Sequence, residues 1–410
     1  MSAAAQPAGG GLARLGRSVW APAAVLVVLW CVATAVGPTS DTGITDLGLY
    51  REYGEHVAAG AVPYREFFVE YPPLALVPMW LAGLPGGGAD GYEVAFGALM
   101  LAAALVVLVL CARLARDRAA VAAWAVALAP LAAGASVRTH FDLLPVALAL
   151  GGLLALTRAR PGLAFGLLGA GAMAKVFPAV LVPVGLAWLA GRREWRGAGR
   201  GLAAFVAVVA AISLPFLGSG YVDAYRFHVD RPLQIESTGA VALLVAGTGT
   251  VTGVQTPVPN DFRSNAVEGR TADALAAAGL VLLAAALAFA CWRAWARSDE
   301  RGLLLAAAAA LLAFMAFGKV FSPQFALWLV PVVALAAAGR EWLLAGFAAG
   351  AIVLTQVEFP SRYFDLVARD PGVIALVAAR DALVLAALSV CLARLAAPAR
   401  SRRLAAAPTP

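Results

Sequence analysis

Apolar stretches of roughly 15–23 residues, rich in Ala, Leu and Val, recur from one end of the chain to the other, and arginine or glycine bounds many of them. The window rule for bilayer helices places twelve spans at about 19–37, 92–112, 119–136, 141–157, 162–175, 177–191, 201–217, 272–292, 302–318, 324–339, 342–358 and 371–393. A further run, PPLALVPMWLAGL at 72–84, is short and carries Pro78 in its middle. No soluble domain can be carved out between the spans. The pattern therefore predicts an all-α polytopic integral membrane protein of about 12 transmembrane helices. It divides into a tail at 1–18, one membrane-embedded domain at 19–393 and a second tail at 394–410, both tails Ala/Pro/Arg-rich and read as disordered.

Composition leaves no soluble alternative. Of the 410 residues, 62% are hydrophobic and 13% charged, against about 45–50% and about 25% in ordinary soluble domains. The apolar stretch from Val19 to Gly37, after Arg14 and Arg17, is longer than the core of about 7–15 residues usual in a signal peptide, and reads as an uncleaved first helix.

Charge sets the orientation. With the N-terminus in the cytoplasm, the inner segments hold 19 of the 31 basic residues and only five of the 24 acids, as the positive-inside rule requires. Were 72–85 a full span, every later loop would change sides and the bias would invert. It is therefore an outer-surface or re-entrant helix, and both termini are cytoplasmic. The net charge of +7 is an orientation signal and implies no nucleic-acid partner. The four cysteines all lie in apolar runs without metal-ligand spacing, so no metal or cofactor is expected.

In this topology all three histidines and both lysines fall on the outer face. The first outer segment, 38–91, interleaves acids with aromatics, among them Asp41, Asp46, Tyr50, Tyr53, Glu70 and Tyr71; on a helix Asp46, Tyr50 and Tyr53 share a face. Interfacial helices with tyrosines at headgroup depth account for part of this pattern, but not for an acid directly after the first span. The second outer segment, 218–271, packs Arg226, His228, Asp230, Arg231, Gln234 and Glu236 into YRFHVDRPLQIES. Such density suits an anionic headgroup or phosphate, or a solvated loop with weak local ion pairs. Shorter outer turns supply RTHFD (Arg138, His140, Asp142) and EFPSRYFD.

The two lysines, Lys175 and Lys319, sit in AKVFP and GKVFSP, each at the end of one span with Pro178 or Pro323 opening the next. Snorkelling explains either lysine alone. As a pair at two helix breaks, they offer compact positive charge to a phosphate while a lipid tail lies between helices.

These strings, in the order TDLGLY, GAVPYREFFVEYPPLA, RTHFDLLP, AKVFP, FHVDRPLQIES and GKVFSPQF, resemble the polyprenyl-phosphate-mannose-dependent mannosyltransferases of glycosyltransferase family 87, in the glycosyltransferase-C superfamily. The resemblance implies a glycosyltransferase-C-like fold with an outward-facing cavity. A polyprenyl-phosphate-sugar donor lipid would bind there, and the sugar would pass with inversion to a hydroxyl on a glycolipid, polysaccharide or protein. It implies Asp46 as general base, with Asp41 the nearest rival. Within that picture Lys175, Lys319, His228 and Arg231 are assigned to the donor phosphate, and Glu70, Tyr71, Arg138, Asp142, Gln234 and Glu236 to the sugar or acceptor. Pro232 stands where the family usually has glycine. A carboxylate to accept the hydroxyl proton and fixed cations for the departing phosphate are what such a transfer needs without a metal. The rival readings are a transporter or flippase of a lipid-linked sugar and, last, a membrane scaffold. Transporters tend to place polar sites at mid-membrane, whereas here only Arg380 and Asp381 fall well within a span.

Overall fold

A computed structural model describes residues 9–33, 43–258 and 261–397. Asp41 and the tail residues 1–8 and 398–410 lie outside the described residues. A helix occupies each of the twelve expected positions. In chain order the helices are α1 (Gly9–Ala33), α2 (Leu47–Ala58), α3 (Leu76–Gly83), α4 (Gly88–Ala115), α5 (Ala119–Ala127), α6 (Ala129–Ala133), α7 (Ser136–Thr139), α8 (Leu143–Thr157), α9 (Pro161–Ala174), α10 (Leu181–Gly191), α11 (Trp195–Ser213), α12 (Ser219–Asp230), α13 (Thr238–Val245), α14 (Arg270–Arg297), α15 (Glu300–Phe317), α16 (Ala326–Ala338), α17 (Trp342–Glu358), α18 (Tyr363–Val367) and α19 (Pro371–Ala396). Helix α1 starts at Gly9, so the helix expected from residue 19 runs back through Arg14 and Arg17.

Among the described residues five helical stretches are long and apolar enough to cross a membrane, and shorter apolar helices fill the rest of the bundle. The protein is a multi-pass membrane protein. Helices α11 and α14 bury 11% and 6% of their apolar windows, so they present hydrophobic surface almost all round, as a lipid-facing helix does. By contrast α15 and α16 pack centrally, with Leu303, Ala306, Ala310, Leu312, Met315, Leu327 and Trp328 buried. Alanine and glycine let these helices approach closely. At Gly279 of α14, for instance, a Cβ would stand 2.5 Å from the carbonyl oxygen of Phe317.

Residues 72–84 form a 3-10 turn and the eight-residue α3, which packs on α2 and α4. Eight residues rise about 12 Å, far short of the roughly 30 Å hydrocarbon thickness.

The second outer segment departs from the all-helical expectation. After α12, the strands β1 (Leu233–Gln234), β2 (Thr250–Gln255) and β3 (Phe262–Glu268) form an antiparallel sheet in the order β1-β3-β2. TVTGVQ and FRSNAVE carry Thr, Val and Phe, which suit a pleated surface, and TPVPND between them is turn chemistry. The charge density of YRFHVDRPLQIES had hidden this strand pattern.

Helix α2, which follows Asp46, is seated by a close approach: at Gly54 a Cβ would stand 2.5 Å from the Met79 carbonyl oxygen in α3. Gly54→Val is expected to lower the melting temperature of the detergent-solubilised protein, with an overpacking cost of about 1–3 kcal/mol. An unchanged melting temperature would show that α2 and α3 do not pack this way.

Candidate active site

Asp46 directly precedes α2 and does not cap it with its side chain. Its Oδ2 accepts a hydrogen bond from the Tyr50 hydroxyl at 3.1 Å and lies 3.8 Å from Nε2 of His140. Asp46 is 37% exposed where His140 is 2% exposed, so the carboxylate reaches outward from a closed wall. Tyr50 is buried edge-on against Tyr71 and Phe141 and tilted against Phe96. The shared face of Asp46, Tyr50 and Tyr53 forms as the helical spacing requires.

Phe141 connects this wall to Lys175. The lysine Nζ lies 4.9 Å from the Phe141 ring centre and also over Phe325 and Trp328. It donates to both oxygens of Asp142, at 2.7 and 2.8 Å, and the Trp328 indole donates to Asp142 Oδ1 at 2.6 Å. Asp142 is fully buried. Its carboxylate therefore holds Lys175 instead of presenting itself to a sugar. Phe177, from the same AKVFP string, stacks on Trp328 at 4.1 Å.

The other lysine serves a helix end. Lys319 Nζ donates to the carbonyl oxygen of Val229 in the last turn of α12 and to that of Arg231 just after the helix, where its positive charge is favoured. Its own carbonyl accepts from the Gln234 N–H at 2.9 Å. Burial and then the Arg231 charge pull the Lys319 ammonium below its usual range. Arg231 sits in an extended conformation, φ −59° and ψ 144°, as a residue before Pro232 must. Its Nη2 donates to Ser264 Oγ at 2.7 Å, and its Nε is buried without a partner. Lys319 and Arg231 line a cavity of about 480 Å³ together with Asp230, Glu268 and Asp273.

His228 and Glu70 join the two walls. His228 Nε2 is 2.7 Å from the Glu70 carbonyl oxygen, and the charges of Arg231, Lys175 and Lys319 all bear on its ring. Burial first, and those cations after it, hold His228 below the usual histidine range, despite its bond to Glu70. Burial pushes the Glu70 carboxyl up to about 7, although Arg263, 3.7 Å away, opposes the rise. Glu70 is thus half-neutral near neutral pH. Tyr71 bears on both Glu70 and Tyr50.

Three sequence candidates lie apart. Arg138 pairs with Glu93 of α4. Gln234 and Glu236 belong to a buried cluster behind β1: Gln234 Nε2 donates to Glu236 Oε2 at 3.2 Å and faces Ser322 Oγ at 3.3 Å. Arg380, in α19, donates to the Glu236 carbonyl and to Asp381, and its guanidinium lies 4.0 Å from the Phe321 ring centre. Glu358 carries charge against the same group, and burial first, then Glu358, raises the Glu236 carboxyl well above its usual range. Arg380 and Asp381, which looked like an isolated pair within a span, thus pin the second outer segment and the GKVFSP string to α19. Sequence reasoning missed Arg263 and Trp328. Arg263 stood in a stretch read only for loop charge, and Trp328 looked like one more apolar residue of a span.

The model of glycosyltransferase family 87 matches residues 68–323, more than half of the chain and the part that contains Glu70, Asp142, Lys175, Arg231 and Lys319. The chain belongs to glycosyltransferase family 87. It is a membrane glycosyltransferase. Among curated proteins none matches it. A solved structure with similarity to it is ArnT from Cupriavidus metallidurans bound to undecaprenyl phosphate, at 18% identity and a TM-score of 0.40, covering 93% of this chain and 77% of that one.

The Lys175–Asp142 pair permits a direct energetic test. Removing one member leaves a buried charge uncompensated, at about 3–5 kcal/mol, whereas removing both does not. Lys175→Met and Asp142→Leu should each depress thermal stability strongly, and the double variant by clearly less than the sum. Additive losses would mean that the pair is not coupled.

Proposed function

We propose that this enzyme transfers a sugar, mannose by the family resemblance, from a polyprenyl-phosphate-sugar donor to an acceptor hydroxyl at the outer face of the cytoplasmic membrane. The acceptor is a glycolipid, a polysaccharide or a protein. The observation that carries this reading is the gathering of one partly exposed carboxylate, Asp46, and four cationic or imidazole groups, Lys175, His228, Arg231 and Lys319, through the contacts of Phe141, Glu70 and α12.

In this mechanism the acceptor hydroxyl attacks the anomeric carbon from the Asp46 side, and Asp46 accepts its proton. The bond to the lipid phosphate breaks on the opposite face, which gives inversion. Arg231, which lines the cavity beside Lys319, takes the developing phosphate charge. Lys319 adds positive potential from behind, while His228, whose ring is held below the usual histidine range by burial, and the Lys175–Asp142 pair keep the two sides in place. Glu70 and Tyr71 lie between the two sides, where sugar hydroxyls need partners. Arg138, Gln234 and Glu236 support the site from outside it.

An apolar cavity of about 330 Å³ supports a prenyl donor. It is lined by Phe177 and Trp328, next to Lys175, and by Leu150, Leu153, Leu304 and Leu311 of α8 and α15, ending among Glu300, Arg301 and Glu341. Neither a nucleotide nor a free sugar phosphate would use such a wall.

The test is transfer of radiolabelled mannose from polyprenyl-phosphate-mannose by protein in lipid nanodiscs, with a membrane extract as acceptor. Wild type should give labelled product and Asp46→Asn should give none while still binding the donor. Equal turnover by both would remove Asp46 as base, and no product from either despite donor binding would favour a flippase. Arg231→Met should weaken donor binding about tenfold or more, as expected for a charge-assisted contact worth about 1.5–3 kcal/mol. Unchanged affinity would take the phosphate away from Arg231.

A further inference from the structure

The Thr139 hydroxyl lies 3.0 Å from both the Ala135 carbonyl oxygen and Nδ1 of His140. With its one proton given to Ala135 it accepts from Nδ1–H of His140, and the lone pair of the neutral imidazole is then on Nε2. That lone pair faces Asp46 Oδ2 at 3.8 Å, in a wall where His140 is 2% exposed. Two proton acceptors turned toward each other form an arrangement that a proton would close. Once a proton arrives on either, it makes an N–H···O bond, and the distance can shorten as catalytic contacts do in the substrate complex.

We propose that His140 is the proton-accepting partner of Asp46, holding at Nε2 the proton that Asp46 takes from the acceptor hydroxyl. The inference rests on the reading of Asp46 as base. In the step, the acceptor O–H bond breaks and its proton goes to the Asp46 carboxylate. The oxygen forms a bond to the anomeric carbon, whose bond to the phosphate oxygen breaks with its electron pair leaving on the lipid phosphate. The proton then passes to His140 Nε2 as imidazolium and, the ring being closed from solvent, returns through the partly exposed Asp46 to water once the product has left. Asp46 is a carboxylate again before the next acceptor arrives. His140 touches no substrate and acts through Asp46, with Thr139 setting its tautomer.

The charged groups that bear on the ring are Asp46, Asp142 and Lys175. Burial, the largest influence, holds the imidazole below its ordinary 6.5, with Lys175 acting in the same direction and the two aspartates opposing it. The ring is thus neutral and receptive at neutral pH, and becomes a cation that blocks the transfer only as pH falls.

The experiment is the pH dependence of kcat/KM for wild type and His140→Asn, whose amide retains the donor to Thr139 but has no Nε2. The variant is expected to keep its donor KM within about twofold, to lose about tenfold or more in kcat, and to move its acid limb to lower pH, because no imidazole then takes up a proton beside Asp46. An acid limb left in place, whatever the loss in kcat, would overturn the proposal, since a structural role alone would not move it. A second measurement needs no variant and no turnover. The chain has only three histidines, so nitrogen-15 NMR of histidine-labelled protein at pH 8 can be assigned. It should show His140 with hydrogen on Nδ1, and hydrogen on Nε2 would overturn the proposal. Because it is read without substrate, it separates failure of this inference from failure of the transfer reading.

Discussion

The ion pair of Lys175 and Asp142 is the contact on which the candidate site of this protein depends. A lysine at the end of an apolar helix would ordinarily extend to water. Here it is enclosed by Phe141, Phe325 and Trp328 and held by both oxygens of a fully buried aspartate. In doing so it fixes the end of α9 to the start of α8, and through the Trp328 indole to α16. These are the breaks between successive apolar helices. Each break frees backbone groups near the bilayer surface, where unsatisfied polar groups are costly. Prolines at 178 and 323 make both breaks local and sharp.

The second lysine solves a similar problem differently. Lys319 closes the C-terminal end of α12, and the string around it is anchored from behind by Arg380 over Phe321 and by the Gln234–Ser322 contact. That anchoring crosses from α19 to the outer sheet, which no local sequence signal announces. It leaves Arg231 extended before Pro232 with one guanidinium nitrogen unpartnered. Cation and carboxylate are thus held by separate parts of the chain, α12 with the sheet on one side and the start of α2 on the other. In the proposed reaction the donor brings the phosphate to one side and the acceptor brings the reacting hydroxyl to the other.

Much of this was legible in the sequence. Apolar run length gives the positions of the long apolar helices, because a bilayer demands length and hydrophobicity and little else; the short helices α2, α7, α12, α13 and α18 lie outside those runs. The arginine bias sets residues 72–84 apart from the spanning candidates, and the helix there, α3, is eight residues long. The grouping of polar residues on outer segments also follows from those two rules. What each polar residue touches does not follow. Asp142 and Glu236 looked equivalent to Asp46 as carboxylates in outer turns, yet both are fully buried and engaged with cations, because partners arrive from α9 and α19, distant in sequence. The outer sheet was missed for the opposite reason, since its strands are short and the charges around them dominate the pattern. His140 stood in view in RTHFD, but only the Thr139 and Ala135 hydrogen bonds reveal which of its nitrogens faces Asp46.

The central claim, that one site holds the donor phosphate at Arg231 and offers the anomeric carbon to Asp46, is tested most directly by cryo-electron microscopy of the protein in nanodiscs with a non-transferable polyprenyl-phosphate-mannose analogue. The account predicts phosphate density against the Arg231 guanidinium, with the sugar between it and Asp46. The Asp46 carboxylate should then lie where an attacking hydroxyl would be about 2.6–3.2 Å away. Phosphate bound elsewhere, or a sugar turned so that Asp46 meets the phosphate side of the anomeric carbon, would contradict it.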